Sequence, residues 1–324
     1  MCGGPSTISS PNRGGKGADV RDQSNQMTPG PHTVVPIDNR GADPLSTPDV
    51  PRAASGPVPP TYAVSPLTEE PLDPRAAISI RNLSKSFGGK LAVGGVTLDI
   101  PSGSFYGIVG PNGAGKTTTL SMATGLLRPD LGRVSVHGID VWRDPPAAKK
   151  QLGVLPDGLR LFDRLTGAQL IAYAGELRGL DRETVRSRTY DLLATLGLAD
   201  DADTLVVDYS AGMTKKVALA SALIHAPRVI VLDEPFESVD PVSAAGIREL
   251  LTGFVASGGT VVVSSHVMDL VQRMCSHVAV VARGLLLASG TVDDVRAGES
   301  LEDRFVQLVG GAQVTEGLSW LQSS

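Results

Sequence analysis

A glycine-rich loop at residues 110–117 constrains this chain more than any other feature of its sequence. The apolar run at 105–109 is typical of a buried strand, and apolar residues at helical spacing predict a helix over 117–127. At such a turn, glycines let the backbone approach phosphate oxygens closely, and the start of the helix adds partial positive charge. The segment therefore predicts a nucleoside triphosphate site in an α/β fold.

Two side chains at the end of this loop are suited to bind a triphosphate and its metal ion. Lys116 is placed to neutralise the β- and γ-phosphates, and the hydroxyl of Thr117 to ligate Mg²⁺. The nucleotide contacts expected from the loop are Gly110, Pro111, Asn112, Gly113, Ala114, Gly115, Lys116, Thr117 and Thr118.

An acidic pair, Asp233 and Glu234, ends the apolar, β-rich run at 229–232. Ligands of parallel sheets gather at the carboxyl ends of the strands, so Asp233 is expected beside Thr117 and the metal. Glu234 points elsewhere and can act as a general base on the attacking water. Alone, such a pair would more often be a surface feature, but the glycine-rich loop in the same chain favours the catalytic interpretation.

A third segment, at residues 209–213, opens a helix for which Ser210 is a good N-cap. Ser210 precedes Asp233 by 23 residues. With these three motifs in this order, the chain resembles the ATP-binding subunit of an ABC transporter over about residues 78–310. The resemblance implies a P-loop NTPase core sheet, an antiparallel β-subdomain that begins near residue 78, and an inserted helical subdomain over about 158–225.

The resemblance also implies roles for residues outside the loop. Phe87 matches the aromatic that stacks on adenine, and His266 matches a histidine that contacts the γ-phosphate and helps hold the water. Ser210 and Gly212 would contact ATP bound on a second ATP-binding subunit in a head-to-tail dimer, and Asp240 lies in the loop that crosses the interface. The catalytic set implied is Glu234, His266 and Lys116.

Three positions depart from the family pattern. Asp157 stands where the family usually has a glutamine, Ala211 replaces a glycine and Met213 replaces a second glutamine. A carboxylate at position 157 can help hold Mg²⁺ through water, so the expected metal-binding residues are Thr117, Asp233 and Asp157. We expect a slow but real ATPase.

Charge and hydropathy bound the function further. The formal net charge is −5, which argues against nucleic acid as a partner. No run approaches the roughly 18 apolar residues that a membrane span needs, so a transport pathway would belong to separate multi-span permease subunits. The location implied is the cytoplasmic face of the cell membrane.

Export is favoured over import. The chain resembles ABC-2-type exporters in three features: the sequence motif at 209–213, the acidic Asp157 and the segment at 300–305. Two alternatives stay open at this point. One is a soluble ABC ATPase that acts in translation or repair, and the other is a nucleotide-gated regulatory module with little hydrolysis. The sequence does not identify the cargo, nor whether the dimer joins identical chains.

The ends of the chain differ in composition from the predicted domain. Fourteen of the 23 prolines lie before Ala76, mixed with Gly, Ser and Thr, so residues 1–75 are predicted to be a disordered leader. The ATP-binding domain is predicted over 76–310 and a short tail over 311–324. Two cysteines, Cys2 and Cys275, are too few for a disulfide framework.

Overall fold

The computed structural model describes residues 70–310. The strands are β1 Ile78–Phe87, β2 Lys90–Ile100, β3 Phe105–Val109, β4 Leu131–Val136, β5 Ile139–Asp140, β6 Leu152–Leu155, β7 Val229–Asp233, β8 Thr260–Ser265, β9 His277–Ala282 and β10 Leu285–Thr291. The helices are α1 Lys116–Ala123, α2 Pro145–Gln151, α3 Gly167–Leu177, α4 Arg182–Thr195, α5 Ala211–Leu223, α6 Pro241–Ala256, α7 Met268–Met274, α8 Val292–Arg296 and α9 Leu301–Val309.

A six-stranded sheet in the order β10-β9-β3-β8-β7-β6 forms the centre of the domain. Its strands pair in parallel from β9 to β6, and β10 is antiparallel to β9 at the edge. The register sets Val109 opposite Ser265, and Ser264 opposite Asp233. The carboxyl ends of β3, β8 and β7 therefore meet at one edge, where the loop at 110–117 begins.

Apolar side chains cover both faces of this sheet. On β3, Tyr106 and Ile108 pack into the cluster shared with the second sheet, whereas Phe105 and Val109 pack into the cluster shared with the helical segment. This two-residue alternation is the strand period, and burial on both faces explains why the strands read as continuous apolar runs.

A second, antiparallel sheet has the order β2-β1-β4-β5 and packs against α1. The buried guanidinium of Arg81 on β1 donates to both carboxylate oxygens of Asp99 at 2.8 Å each. Arg81 also donates to the carbonyl of Pro71 at 3.0 Å, so residues 70–75, which we assigned to the leader, contact β1. The rest of the leader and the tail lie outside the described residues.

Helices α3, α4 and α5 form the helical segment between β6 and β7. Thr166 starts α3 with a capping box that includes Gln169, and Asp181 caps α4 through two backbone N–H groups. Ser210 caps α5 as expected, because its hydroxyl accepts from the N–H of Met213 at 3.2 Å. The predicted fold class, with both subdomains, is confirmed. Within residues 70–310, no helix is both long enough and apolar enough to cross a bilayer.

The helix after the glycine-rich loop is shorter than predicted. It ends at Ala123 rather than at residue 127, with Thr124 as its C-cap. Gly125 then adopts a left-handed conformation (φ +74°), and Leu126 is 57% exposed. Apolar residues continue at helical spacing to residue 127, although the helix ends at Ala123. The left-handed backbone of Gly125 ends the helix, and the spacing of apolar side chains does not indicate such a backbone change.

His225 joins the end of α5 to β6, since its Nε2 lies 2.9 Å from the carbonyl oxygen of Leu152. Burial, together with the charges of Arg178 and Arg188, lowers the pKa of His225 to about 4 from 6.5, against an opposing effect of the bond to Leu152. The unfolded chain takes up this proton near pH 6.5, so stability rises with pH between about 4 and 6.5.

We predict that wild-type protein loses roughly 2 kcal/mol of unfolding free energy from this residue as the pH falls from 6.5 to 4. The His225→Gln variant lacks the titrating group and should show a correspondingly shallower loss. Urea unfolding of both proteins across this range measures the difference. Parallel curves for the two proteins would show that His225 titrates alike when folded and unfolded.

Candidate nucleotide-binding site

A cavity of about 540 Å³ opens where the glycine-rich loop meets the two sheets. Its size suits a small-molecule ligand. The residues that line it are Phe87, Lys90, Leu91, Ala92, Asn112, Gly113, Ala114, Gly115, Lys116, Thr117, Thr118, Asp157, Glu234 and Glu237. The structure thus brings seven of the nine loop residues predicted to contact nucleotide into one wall, together with Phe87, Asp157 and Glu234.

The loop can follow this path only with glycine at particular positions. A Cβ on Gly110 would lie 2.1 Å from the carbonyl oxygen of Val281, and one on Gly115 would lie 2.6 Å from that of Ala92. Gly113 (φ +77°) has open space where its Cβ would be. Close packing therefore accounts for Gly110 and backbone conformation for Gly113, whereas both apply to Gly115, whose φ is +101°.

The start of α1 offers unsatisfied backbone donors to a ligand. Gly115 is the N-cap and supplies no side-chain acceptor for the first turn, and no acidic residue lies in that turn. The first N–H groups of a helix have no partner within the helix and favour an anion. This uncapped helix start at the wall of the cavity fits a phosphate group.

Lys116 is enclosed by the loop that precedes it. Its side chain is 6% exposed, and its ammonium donates to the carbonyl oxygen of Gly110 at 2.8 Å and of Pro111 at 3.3 Å. The same nitrogen lies 3.3 Å from Oε1 of Glu234. A phosphate that enters the loop would compete with Glu234 for this cation.

Glu234 lies between the ammonium of Lys116 and the imidazole of His266. Its Oε2 is 3.1 Å from Nδ1 of His266, on the side of the carboxylate away from Lys116. The contact with Lys116 is ionic but lacks hydrogen-bond alignment, so the buried Oε1 keeps a free lone pair within the described residues. The structure therefore brings all three predicted catalytic residues together and leaves the buried Oε1 of Glu234 without a hydrogen bond within residues 70–310.

Ser264, which the sequence reading missed, connects the two acidic residues. This fully buried serine on β8 donates from its hydroxyl to Oδ1 of Asp233 and accepts from the backbone N–H of Glu234 at 2.9 Å. The available signal was a hydroxyl residue near the end of an otherwise apolar strand, two residues before His266. Its effect is to fix both residues at the end of β7.

The predicted metal-binding residues are not all on the cavity surface. Thr117 and Asp157 line the cavity, whereas Asp233 is 4% exposed, does not line it and accepts a hydrogen bond from Ser264. Among residues 70–310, no three His, Cys, Asp or Glu side chains form a group that could hold a metal unaided. Mg²⁺ commonly keeps waters and takes substrate phosphate oxygens, so one or two protein ligands are compatible with it.

Phe87 lies at the mouth of the cavity. Its ring is 51% exposed, and the ammonium of Lys85 lies 5.8 Å from the ring centre. Lys85 in turn donates to Asp130 at 2.6 Å. The ring is thus held at the rim with a face available to a planar group.

Ser210, Gly212 and Asp240 do not line this cavity but lie together at the starts of α5 and α6. A Cβ on Gly212 would lie 2.6 Å from the hydroxyl oxygen of Ser243 and 2.7 Å from Oδ2 of Asp240. Gly212 therefore has a packing requirement within its own chain. Hydrogen bonds from the backbone N–H and the hydroxyl of Ser243 lower the pKa of Asp240, which favours its ionised carboxylate.

Comparison with known proteins places this geometry in a family. A family model described as "ABC transporter" matches residues 93–237. The ABC transporter ATP-binding protein NatA of Bacillus subtilis (strain 168) is 37% identical over 70% of this chain and 94% of its own length. The Nod factor export ATP-binding protein I of Burkholderia lata is 36% identical over 67% of this chain and 71% of its own length. A solved ATP-binding subunit of an ABC transporter superposes with a TM-score of 0.67 at 27% identity, over 72% of this chain and 99% of that one.

We predict that Ser264→Ala lowers the unfolding free energy by roughly 1–3 kcal/mol and slows ATP hydrolysis, because two buried groups lose their partner. Ser135→Ala is the matched control, since Ser135 is equally buried and its hydroxyl has no partner in the described part of the chain. Chemical unfolding and steady-state turnover of both variants measure the contrast. Equal effects from the two substitutions would mean that the Ser264 bonds are dispensable.

Proposed function

The chain belongs to the family of ABC transporter ATP-binding proteins and is an ATPase of that family, and we propose that two such subunits close on two ATP molecules to drive export through a separate membrane protein. The observation that carries the proposal is the group formed by Lys116, Glu234 and His266 at the glycine-rich loop. In this group Lys116 is a cation that can bind phosphate, and Glu234 is a carboxylate that can bind water. His266 makes a second polar contact to that carboxylate.

ATP would bind with its phosphates in the loop and its adenine at the cavity mouth. The uncapped start of α1 and Lys116 would take the β- and γ-phosphates, and the exposed ring of Phe87 would stack on the base. When phosphate oxygens occupy the loop, Lys116 has a stronger set of anionic partners than the single oxygen of Glu234. Binding would then release Glu234 for catalysis.

Hydrolysis would use Glu234 as the general base. Once phosphate draws Lys116 away, Oε1 would accept a proton from a water molecule aligned with the γ-phosphate, while His266 at 3.1 Å holds the other oxygen in place. A positioned base typically contributes roughly 10²–10⁴-fold to the rate. Partial burial of Glu234 keeps its carboxylate oriented between these partners.

Thr117 is the first candidate ligand for Mg²⁺, with Asp157 beside it on the cavity wall. Asp233 would hold the ion directly or through water, with its carboxylate oriented by the hydrogen bond from Ser264. The ion would neutralise charge on the phosphates. These three residues supply few oxygen ligands. That is compatible with Mg²⁺, whose coordination shell is commonly completed by phosphate oxygens and water molecules.

Dimer formation would use the starts of α5 and α6. Ser210 is exposed and its helix start carries partial positive charge, as a contact to a partner's γ-phosphate requires. Since these residues lie outside the subunit's own cavity, they are available to the nucleotide of a second ATP-binding subunit. That second subunit is either another copy of this chain or a related chain.

The membrane partner would be a multi-span permease, and the complex would sit at the cytoplasmic face of the cell membrane. Outward transport is supported by the likeness to a protein named for Nod factor export. The transporter interpretation is favoured over a role in translation or repair, because the relatives compared above are ATP-binding proteins of transporters.

We predict that Glu234→Gln reduces ATP turnover at least 100-fold while ATP binding persists, since the amide cannot accept the proton from water. Stalled hydrolysis should also allow an ATP-dependent dimer to accumulate. Turnover assays and size-exclusion chromatography with light scattering, with and without Mg-ATP, measure both effects.

Glu249→Gln serves as the control, because Glu249 is exposed on α6 and its substitution removes the same charge at a position outside the cavity. It should turn over ATP like the wild type. Unchanged turnover in Glu234→Gln would refute the assignment of the base. A wild-type protein that binds ATP but hydrolyses none would instead support a nucleotide-gated regulatory module.

A further inference from the structure

The backbone of Glu234 is held from two directions by side chains of different subdomains. Its N–H donates to the hydroxyl of Ser264 on β8 at 2.9 Å. Its carbonyl oxygen accepts from the ammonium of Lys215 on α5 at 3.2 Å. One contact therefore ties the residue to the central sheet, and the other ties it to the helical segment.

Glu234 has a conformation that needs such support. Its φ of +46° lies in the left-handed region, which residues other than glycine seldom occupy. A conformation of this kind persists when surrounding contacts determine it. Loss of one of the two backbone contacts would therefore let the carboxylate change its orientation relative to Lys116 and His266.

Lys215 reaches Glu234 from outside the nucleotide cavity. It lines a neighbouring cavity of about 320 Å³, and Asp157 and Glu237 are common to the walls of both cavities. Lys215 also lies five residues after Ser210 on the same helix, less than two turns from its start. It thus connects the helix start proposed to face a partner's nucleotide with the proposed base of its own subunit.

We propose that Lys215 is a positioning residue that couples the start of α5 to the orientation of Glu234 in the same subunit. The inference rests on the proposed function, because it takes Glu234 as the base. A movement of α5 against the central sheet would shift the ammonium of Lys215 and with it the carbonyl of Glu234. The site of one subunit would in this way respond to whether its own α5 is engaged across the interface.

This role predicts a selective kinetic effect, because Lys215 is not on the wall of the nucleotide cavity. Lys215→Met keeps the aliphatic stem but removes the donor, and kcat should fall on the order of tenfold with KM for ATP unchanged. Lys215→Arg keeps a cationic donor and should recover kcat to within about threefold of wild type. Lys150→Met is the charge-matched control, since Lys150 is exposed on α2 and has no side-chain bond within residues 70–310.

The experiment measures steady-state ATP turnover of the full-length wild type and of all three variants. ATP-dependent dimer formation is measured with Lys215→Met in the Glu234→Gln background, which should still dimerise.

The proposal is overturned if Lys215→Met behaves like Lys150→Met while Glu234→Gln abolishes turnover, and the proposed function then stands. Loss of the dimer in the double variant also overturns it, because Lys215 would then act through the interface. Failure of the proposed function gives a different result, namely turnover that is insensitive to Glu234→Gln.

Discussion

The site depends on the parallel alignment of β3, β8 and β7. The register that places Val109 opposite Ser265, and Ser264 opposite Asp233, brings the glycine-rich loop, the acidic pair and His266 to one edge of the sheet. Because successive side chains of a strand point to opposite faces of the sheet, a slip of one residue would move every side chain of the strand to the other face. The positions of Ser264 and Glu234 thus follow from sheet pairing before any ligand binds.

Electrostatic balance within the site explains how it can be stable without nucleotide. A buried ammonium with no partner would be costly, and Lys116 avoids this cost through two loop carbonyls and Glu234. Glu234 in turn has His266 at its second oxygen. The same groups serve phosphate and water when ATP is present, so one set of side chains accounts for both states.

Most of the fold and the central part of the site could be predicted from local pattern. Apolar runs that end in Gly110 and in Asp233 marked the strand ends, and parallel-sheet geometry then placed these residues together. The ionic contact between Lys116 and Glu234, and the bond from Lys215 to Glu234, could not be predicted in the same way. They join residues distant in sequence through long side chains, whose reach depends on how α1 and α5 pack against the sheet. The end of α1 was missed because a left-handed Gly125 leaves no trace in apolar spacing.

We infer that ATP hydrolysis by this chain acts on a separate membrane protein. The most direct measurement is recovery of tagged Glu234→Gln protein from detergent-solubilised native membranes with Mg-ATP, followed by mass spectrometry. We predict a multi-span membrane protein in stoichiometric amount, retained with Mg-ATP because the substitution stalls the closed dimer. Recovery of ribosomes or repair factors in place of a membrane protein would contradict the claim.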